Sequence, residues 1–207
     1  MLIGIVTDIH DAVSPLRAAL TALSQRGVEQ VVTLGDAFDS YRRGEPGVEV
    51  ASLLQEAHAI GVWGNHDAGL SHQVSVQLRD EADPALLEFA ARLQPQLTLE
   101  GCRFSHIEPW RNPCRVEDLW AFDGVPDTVT YAERSFEVVR ERVIFLGHFH
   151  QWLAMRRSAG RIVWDGLCPI TLRGPDHYLA VVAPVVDGWC ATFDTEQFEL
   201  TPIRISV

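Results

Sequence analysis

The sequence predicts an α/β fold, and three observations carry that prediction. Short apolar runs of strand length recur at 2–7, 31–34 and 60–63. Segments with helical periodicity separate them, which is the rhythm of a parallel sheet with crossover helices. The last third changes character and becomes a series of brief β-rich runs divided by turn residues.

Each element has its own justification. Residues 2–7, LIGIVT, are continuously apolar, as suits a strand buried on both faces. Ser14 reads as an N-cap with Pro15 at the first helical position. Leu16, Ala19, Leu20 and Leu23 share one helical face, and Gly27 stops the helix. The run 31–34 ends at Gly35-Asp36, a helix is expected at 48–58, and the run 60–63 ends at Gly64-Asn65. A helix at 84–93 precedes two strands, 97–99 and 103–104, about the turn 100–102. Residues 107–130, rich in Pro, Trp and Asp, are expected to form an irregular surface loop. A helix at 132–142 then leads into a strand at 143–146. The runs 152–155, 161–164, 178–182, 189–193 and 198–205 are expected to complete a second, antiparallel sheet.

Hydrophobic residues make up 47% of 207, ample for a sizeable core in a single domain, 1–207. The formal net charge of −11 repels polyanions, and basic residues gather only in pairs, Arg42-Arg43 and Arg156-Arg157. Long nucleic acid is therefore not an expected partner. Such a chain can still hydrolyse a phosphate ester if bound metal ions reverse the local field. Cys102, Cys114, Cys168 and Cys190 form no Cys-x-x-Cys pair and read as free, mostly buried thiols of a reducing compartment. No stretch approaches the ~20 apolar residues of a membrane span. The N-terminal run is too short for a signal peptide. A cytoplasmic protein with no membrane partner is the expectation.

The chemistry lies at the strand ends. They carry Asp8-Ile9-His10, Gly35-Asp36-Ala37-Phe38-Asp39, Gly64-Asn65-His66-Asp67, Ser105-His106 and Gly147-His148-Phe149-His150. Ligands of α/β sheets bind at the carboxyl ends of strands. Each cluster alone is as well explained by a turn or a cap; five in succession are not. Carboxylate, imidazole and amide oxygen together suit borderline divalent metals such as Mn²⁺, Fe²⁺ or Zn²⁺. Seven candidates exceed one tetrahedral ion and suit two that share a carboxylate, a clamp for in-line phosphoryl displacement.

These motifs, in this order, resemble the calcineurin-like metallophosphoesterase superfamily, and the tail after 150 more loosely resembles its small bacterial phosphodiesterase branch. The resemblance implies a metallo-dependent phosphatase sandwich, with two β-sheets packed face to face and flanked by helices. It implies two divalent ions, Mn²⁺ first, with Fe²⁺, Zn²⁺ or Ni²⁺ as alternatives. One would be held by Asp8, His10, Asp36 and His150, the other by Asp36, Asn65, His106 and His148. It implies a metal-bridging water as nucleophile, and His66 as general acid or phosphate contact. With a period of two, His148 and His150 are expected to leave one strand end on the same side.

Other residues carry less. Asp39 stands where a relative's carboxylate orients the catalytic His; it either does so for His66 or caps its own loop. Asp11 replaces the usual Gly and is expected to cap the first helix with Ser14. Ser40 replaces an Arg typical of protein phosphatases, and Arg43 reads as solvated. Arg111, after His106 and Pro109, is a candidate substrate contact. Residues 165–169 depart from the Asn-Pro-Gly-Ser hairpin of relatives. Trp110 and Trp120 lie in the loop beside the site; packing is the preferred reading for both, stacking on a nucleobase the alternative.

The expected function is hydrolysis of a small phosphate ester, a phosphodiester or nucleotide. The alternatives are a non-catalytic interaction scaffold of the same fold, a phosphoprotein or dinucleoside polyphosphate phosphatase, and a mononuclear zinc hydrolase of another fold. The presence of His66 argues against the scaffold. The early Asp-x-His and late His-x-His argue against the mononuclear enzyme.

Overall fold

The computed structural model describes residues 1–205. Strands β1 (Leu2–Val6), β2 (Gln30–Thr33) and β3 (Ile60–Gly61) alternate with helices α1 (Val13–Gln25) and α2 (Pro46–Glu56). Three short helices follow, α3 (Ala68–Ser71), α4 (Val76–Glu81) and α5 (Pro84–Ala90). The hairpin β4 (Leu97–Leu99) and β5 (Cys102–Ser105) precedes α6 (Val116–Leu119), α7 (Val129–Val138) and β6 (Val143–Leu146). The chain ends in β7 (Leu153–Arg156), β8 (Gly160–Arg161), β9 (Ile170–Thr171), β10 (Tyr178–Val181), β11 (Trp189–Asp194) and β12 (Glu199–Arg204).

Two six-stranded mixed sheets result, β3-β2-β1-β11-β12-β9 and β4-β5-β6-β10-β7-β8. Between them lies a core of Ile3, Ile5, Val32, Phe104, Phe145 and Phe193. Phe145 stacks on Phe104 at 5.2 Å and meets Phe193 edge-on at 5.0 Å, joining the sheets through aromatic contact. The outer face of the first sheet is covered by Leu16, Leu23, Leu54 and Phe89 from α1, α2 and α5. Ala132 and Phe136 of α7 cover Ile144, Leu146 and Leu153 on the other. Strand alternation accounts for the four layers: in β6, Val143 and Phe145 face the inter-sheet core while Ile144 and Leu146 face α7. That is why the strand reads as continuously apolar.

The expected sandwich is therefore present, with local differences. The C-terminal strands do not form one antiparallel sheet. β11, β12 and β9 extend the first sheet, β11 antiparallel to β1 and each next strand antiparallel to the one before it, while β10 lies parallel to β6 and carries β7 and β8 in the second. Both β1 and β6 would otherwise present a row of unpaired backbone groups. The third strand is only two residues long: the Val62 N–H still bonds the Thr33 carbonyl, but Trp63 N–H turns away to the carbonyl of Gln94. Helix α1 starts from Ala12 with no side-chain cap, so neither Ser14 nor Asp11 caps it. Helix α7 starts earlier than expected, because Thr128 Oγ1 accepts the Tyr131 N–H and so caps it. The loop 107–130 holds one helical turn, α6. Among the described residues no helix is long and apolar enough to cross a membrane.

Parallel β1, β2 and β3 of one sheet and parallel β5 and β6 of the other end at the same edge of the sandwich. Hydrogen bonds across that edge tie the sheets together: His148 N donates to Asp8, and His106 Nδ1 lies 2.8 Å from the Leu34 carbonyl.

Candidate metal centre

All seven candidate ligands gather at this edge. Asp8, His10 and His150 offer ligand atoms within 4.8 Å of one another, and so do Asp36, His106 and His148. His150 Nε2 is 3.2 Å from Asp8 Oδ1. Asn65 Oδ1 lies 3.0 Å from His106 Nε2 and 3.1 Å from His148 Nδ1. Asp36 stands between the groups, its Oδ2 3.2 Å from His106 Nε2 and 3.9 Å from His10 Nε2.

The backbone at these residues is unusual. Asp8, His10, Asp36, His148 and His150 have φ of 49°, 46°, 51°, 68° and 50°, the left-handed region. His148 and His150 therefore do not owe their common direction to strand alternation; β6 has ended at Leu146, and a left-handed turn aims both rings. Two glycines make room: a Cβ on Gly64 would fall on Asp36 Oδ1, and one on Gly147 would meet Thr7 Oγ1 and lie 3.0 Å from Asp8 Oδ2.

The donor set fits divalent cations. With Nδ1 donating to Leu34, neutral His106 turns its Nε2 lone pair toward two oxygens, Asn65 Oδ1 and Asp36 Oδ2. A cation or a proton must lie among three such acceptors. His10 Nε2 is likewise buried with no hydrogen-bond partner. Burial opposes charge on His106, but the Asp36 carboxylate outweighs it and pushes the ring up to about 9. Burial, then the His106 charge, holds His148 down to about 4. Asp36 keeps its charge despite burial, lowered chiefly by His106.

The surrounding groups fix this set. Asp39 Oδ1 is 2.7 Å from His66 Nδ1 and 3.1 Å from His10 Nδ1, so one carboxylate orients both rings. Asp11 holds that loop, accepting from Asp39 N at 3.1 Å. Asp67, inside the Gly64–Asp67 motif but without an expected role, is fully buried. Its oxygens accept from Ala37 N, Phe38 N and Gly64 N at 2.9, 3.0 and 3.0 Å, bracing the loops that follow β2 and β3. Burial, then repulsion from Asp36, raises its carboxyl. Thr7 Oγ1 donates to Asp8 Oδ2.

Arg111 is 7% exposed, and its guanidinium donates to Glu108 at 3.1 Å and Asp123 at 2.7 Å. It would meet a phosphate only by leaving these partners; on its present contacts it orders the loop. The Arg111 and Arg134 guanidinium carbons lie over Trp110, 4.3 and 3.4 Å from the ring centroid. Trp120 instead stands 57% exposed, its ring 5.2 Å from that of His66. Cys102 and Cys190 are buried, Cys114 and Cys168 exposed, and all four are free.

A two-sheet sandwich with Asp, His and Asn side chains collected where its parallel strands end is the metallophosphoesterase class of fold. A profile of the calcineurin-like phosphoesterase superfamily domain matches residues 1–182, and the chain belongs to that superfamily. An uncharacterized protein of Methanocaldococcus jannaschii is 23% identical over 231 aligned positions, covering 99% of this chain and 87% of that one. The crystal structure of a metallophosphoesterase from Sphaerobacter thermophilus superposes with a TM-score of 0.77 at 19% identity, covering 100% of this chain and 88% of the other. An archaeal phosphodiesterase superposes at 0.57 with 16% identity, covering 99% and 100%.

Three outcomes are expected. At neutral pH His106 is protonated in cation-stripped protein, so filling its group releases about one proton. The apparent affinity then rises about tenfold per pH unit up to about pH 9. Calorimetric Mn²⁺ titration in buffers of different ionisation enthalpy checks this; zero proton release at pH 7 contradicts it. In stripped protein the His106–Asp36 pairing gives stability that is full below the ring's ordinary 6.5 and lost as pH rises through about 9. Asp67→Ala strands three buried N–H donors and is expected to cost about 2–4 kcal/mol by denaturant unfolding; a loss under 0.5 kcal/mol contradicts the bracing role.

Proposed function

We propose that the chain is a dinuclear metal-dependent phosphoesterase acting on a small phosphate ester, preferably a phosphodiester. The observation that carries this reading is the position of Asp36, whose Oδ2 faces His106 on one side and His10 on the other. Asp8, His10, Asp36 and His150 would hold one ion, and Asp36, Asn65, His106 and His148 the second. The mixed donor set suits Mn²⁺, with Fe²⁺, Zn²⁺ or Ni²⁺ as alternatives. When bound, the ions neutralise phosphoryl charge and acidify the attacking water.

The chain's own residues supply the rest. His66 sits at the rim, its ring 4.8 Å from that of His10 and its backbone N–H donating to Asp36 Oδ1 at 2.9 Å. Asp39 accepts a hydrogen bond from His66 Nδ1–H, and in the imidazolium form Nε2–H would give its proton to the departing oxygen, leaving the neutral Nδ1–H ring. The same carboxylate holds His10 Nδ1–H, so that His10 Nε2 keeps its lone pair for an ion. Charge argues for a diester: with a net −11, the protein repels a dianionic monoester more than a monoanionic diester. The archaeal phosphodiesterase of similar fold supports the same choice. Four free thiols fit a cytoplasmic location.

With Mn²⁺ and a nitrophenyl leaving group held constant, the diester is expected to be turned over faster than the monoester. Asp36→Ala is expected to lose both bound ions and turnover; retention of both would overturn the reading. His66→Asn is expected to keep its metal content and lower kcat by about 10²–10⁴ on alkyl diesters. The loss should be smaller with nitrophenolate, which needs no proton to depart. Equal losses on both would remove the acid role.

A further inference from the structure

Two large aromatic side chains stand exposed at the mouth of the site. Trp120 is 57% exposed and Phe122 62%. They are two residues apart on one loop and attend different parts of the centre. The Trp120 ring lies 5.2 Å from His66, and the Phe122 ring 6.3 Å from His148 and 6.1 Å from Phe149. Apolar area of this size left in water is a standing cost, and gathered at a site it marks recognition.

The exposure does not come from a loose loop. Leu119, just before, is 2% exposed in the helical core, and Val125, just after, packs against the cluster under α7. Asp123 is gripped by buried Arg111, which is itself fixed by Glu108, and Tyr131 donates to the same Glu108. Trp63 Nε1 donates to the Pro113 carbonyl at 3.0 Å. The loop is pinned on both sides of two rings that it leaves uncovered.

The loop's buried cation is also withheld from the mouth, since Arg111 is committed to two carboxylates. Beside His66 and His148 this loop places the rings of Trp120 and Phe122, and not the Arg111 cation. That matches a planar apolar group on the ester better than a second phosphate.

We propose that Trp120 and Phe122 form an aromatic lip that determines specificity, stacking the planar aromatic group of a phosphodiester whose phosphorus lies at the centre. The proposal rests on the phosphoesterase reading above. It names the organic half of the substrate, an aryl group or a nucleobase, which present the same π-face. The two side chains select the ester and take no part in proton transfer.

The test compares three diesters with one nitrophenyl leaving group and a second group that is methyl, phenyl or 5′-thymidyl. The proteins are Mn²⁺-loaded wild type, Trp120→Leu, Phe122→Leu and Trp120→Phe. Wild type is expected to prefer the phenyl or thymidyl ester over the methyl ester by about 5- to 100-fold, mainly in KM. The ratio is expected to fall toward one in both Leu variants and to survive in Trp120→Phe. A thymidyl preference above the phenyl one identifies a nucleoside ester; equal preferences identify aryl recognition in general. A wild-type ratio near one, with all three esters turned over, overturns the lip alone. So does a ratio unchanged in both Leu variants. No turnover of any ester by metal-loaded protein overturns the underlying reading and the lip with it. Both side chains are exposed, so their loss leaves the core untouched; far-ultraviolet circular dichroism and metal content verify each variant.

Discussion

The carboxylate of Asp36 is the point on which the arrangement depends. Its backbone carbonyl accepts from Ile9 N and His10 N at 2.8 and 3.1 Å, binding the end of β2 to the end of β1. Its Oδ1 accepts from His66 N, which adds the end of β3, and its Oδ2 faces His106, which adds β5. A buried carboxylate with one imidazole partner is costly in a medium of low dielectric. Asp8, fully buried, brings a second carboxylate to the same edge. The fold thus concentrates charge where burial makes charge expensive. The proposed pair of cations would complement such a set.

A second cost is conformational. Five candidate ligands hold left-handed φ without being glycine. Strain of that kind costs about 1–3 kcal/mol per residue and persists only where surrounding structure over-determines it. Here the loops constrain one another. Asp8 N donates to Gly35 O, and His148 N donates back to the Asp8 carboxylate. Each strained residue lies in a loop that follows a strand paired on both sides, so the sandwich fixes where the loops begin and the inter-loop bonds fix how they turn. Gly64 and Gly147 lie where Asp36 Oδ1 and Thr7 Oγ1 already occupy the space of a Cβ.

Much of this was legible in the sequence, for physical reasons. A strand buried on both faces must be apolar throughout, so 2–7, 31–34 and 143–146 announced themselves. Polar side chains directly after such runs had to emerge at one edge of the sheet. Other features left no trace. The C-terminal runs carry the same short β pattern whichever sheet they join, so their division between two sheets could not be read. The left-handed turn at Gly147–His150 is invisible to periodicity, and alternation gave the right neighbours for the wrong reason. Asp11 directly follows one motif and Asp67 ends another, but the bonds that tie them to other loops go to backbone N–H groups 28 to 30 residues away in the chain. Trp110 and Trp120 are alike in the sequence; cations lie over the first, while the second stands in solvent.

These constraints divide the proposed labour between protein and ions. A chain of net charge −11, with buried carboxylates at its site, has little field of its own to draw in an anion. The positive charge that meets the phosphoryl group would come from the ions, which the carboxylates are there to hold. The protein is then free to recognise what the ions cannot, the organic group of the ester. Arginine at the mouth would add affinity for phosphate at large. Arg111 is instead buried against Glu108 and Asp123, where it fixes the loop that presents Trp120 and Phe122. On this reading the loop's buried cation serves selectivity through position, and its pairing with two carboxylates is what keeps the two rings exposed beside His66 and His148.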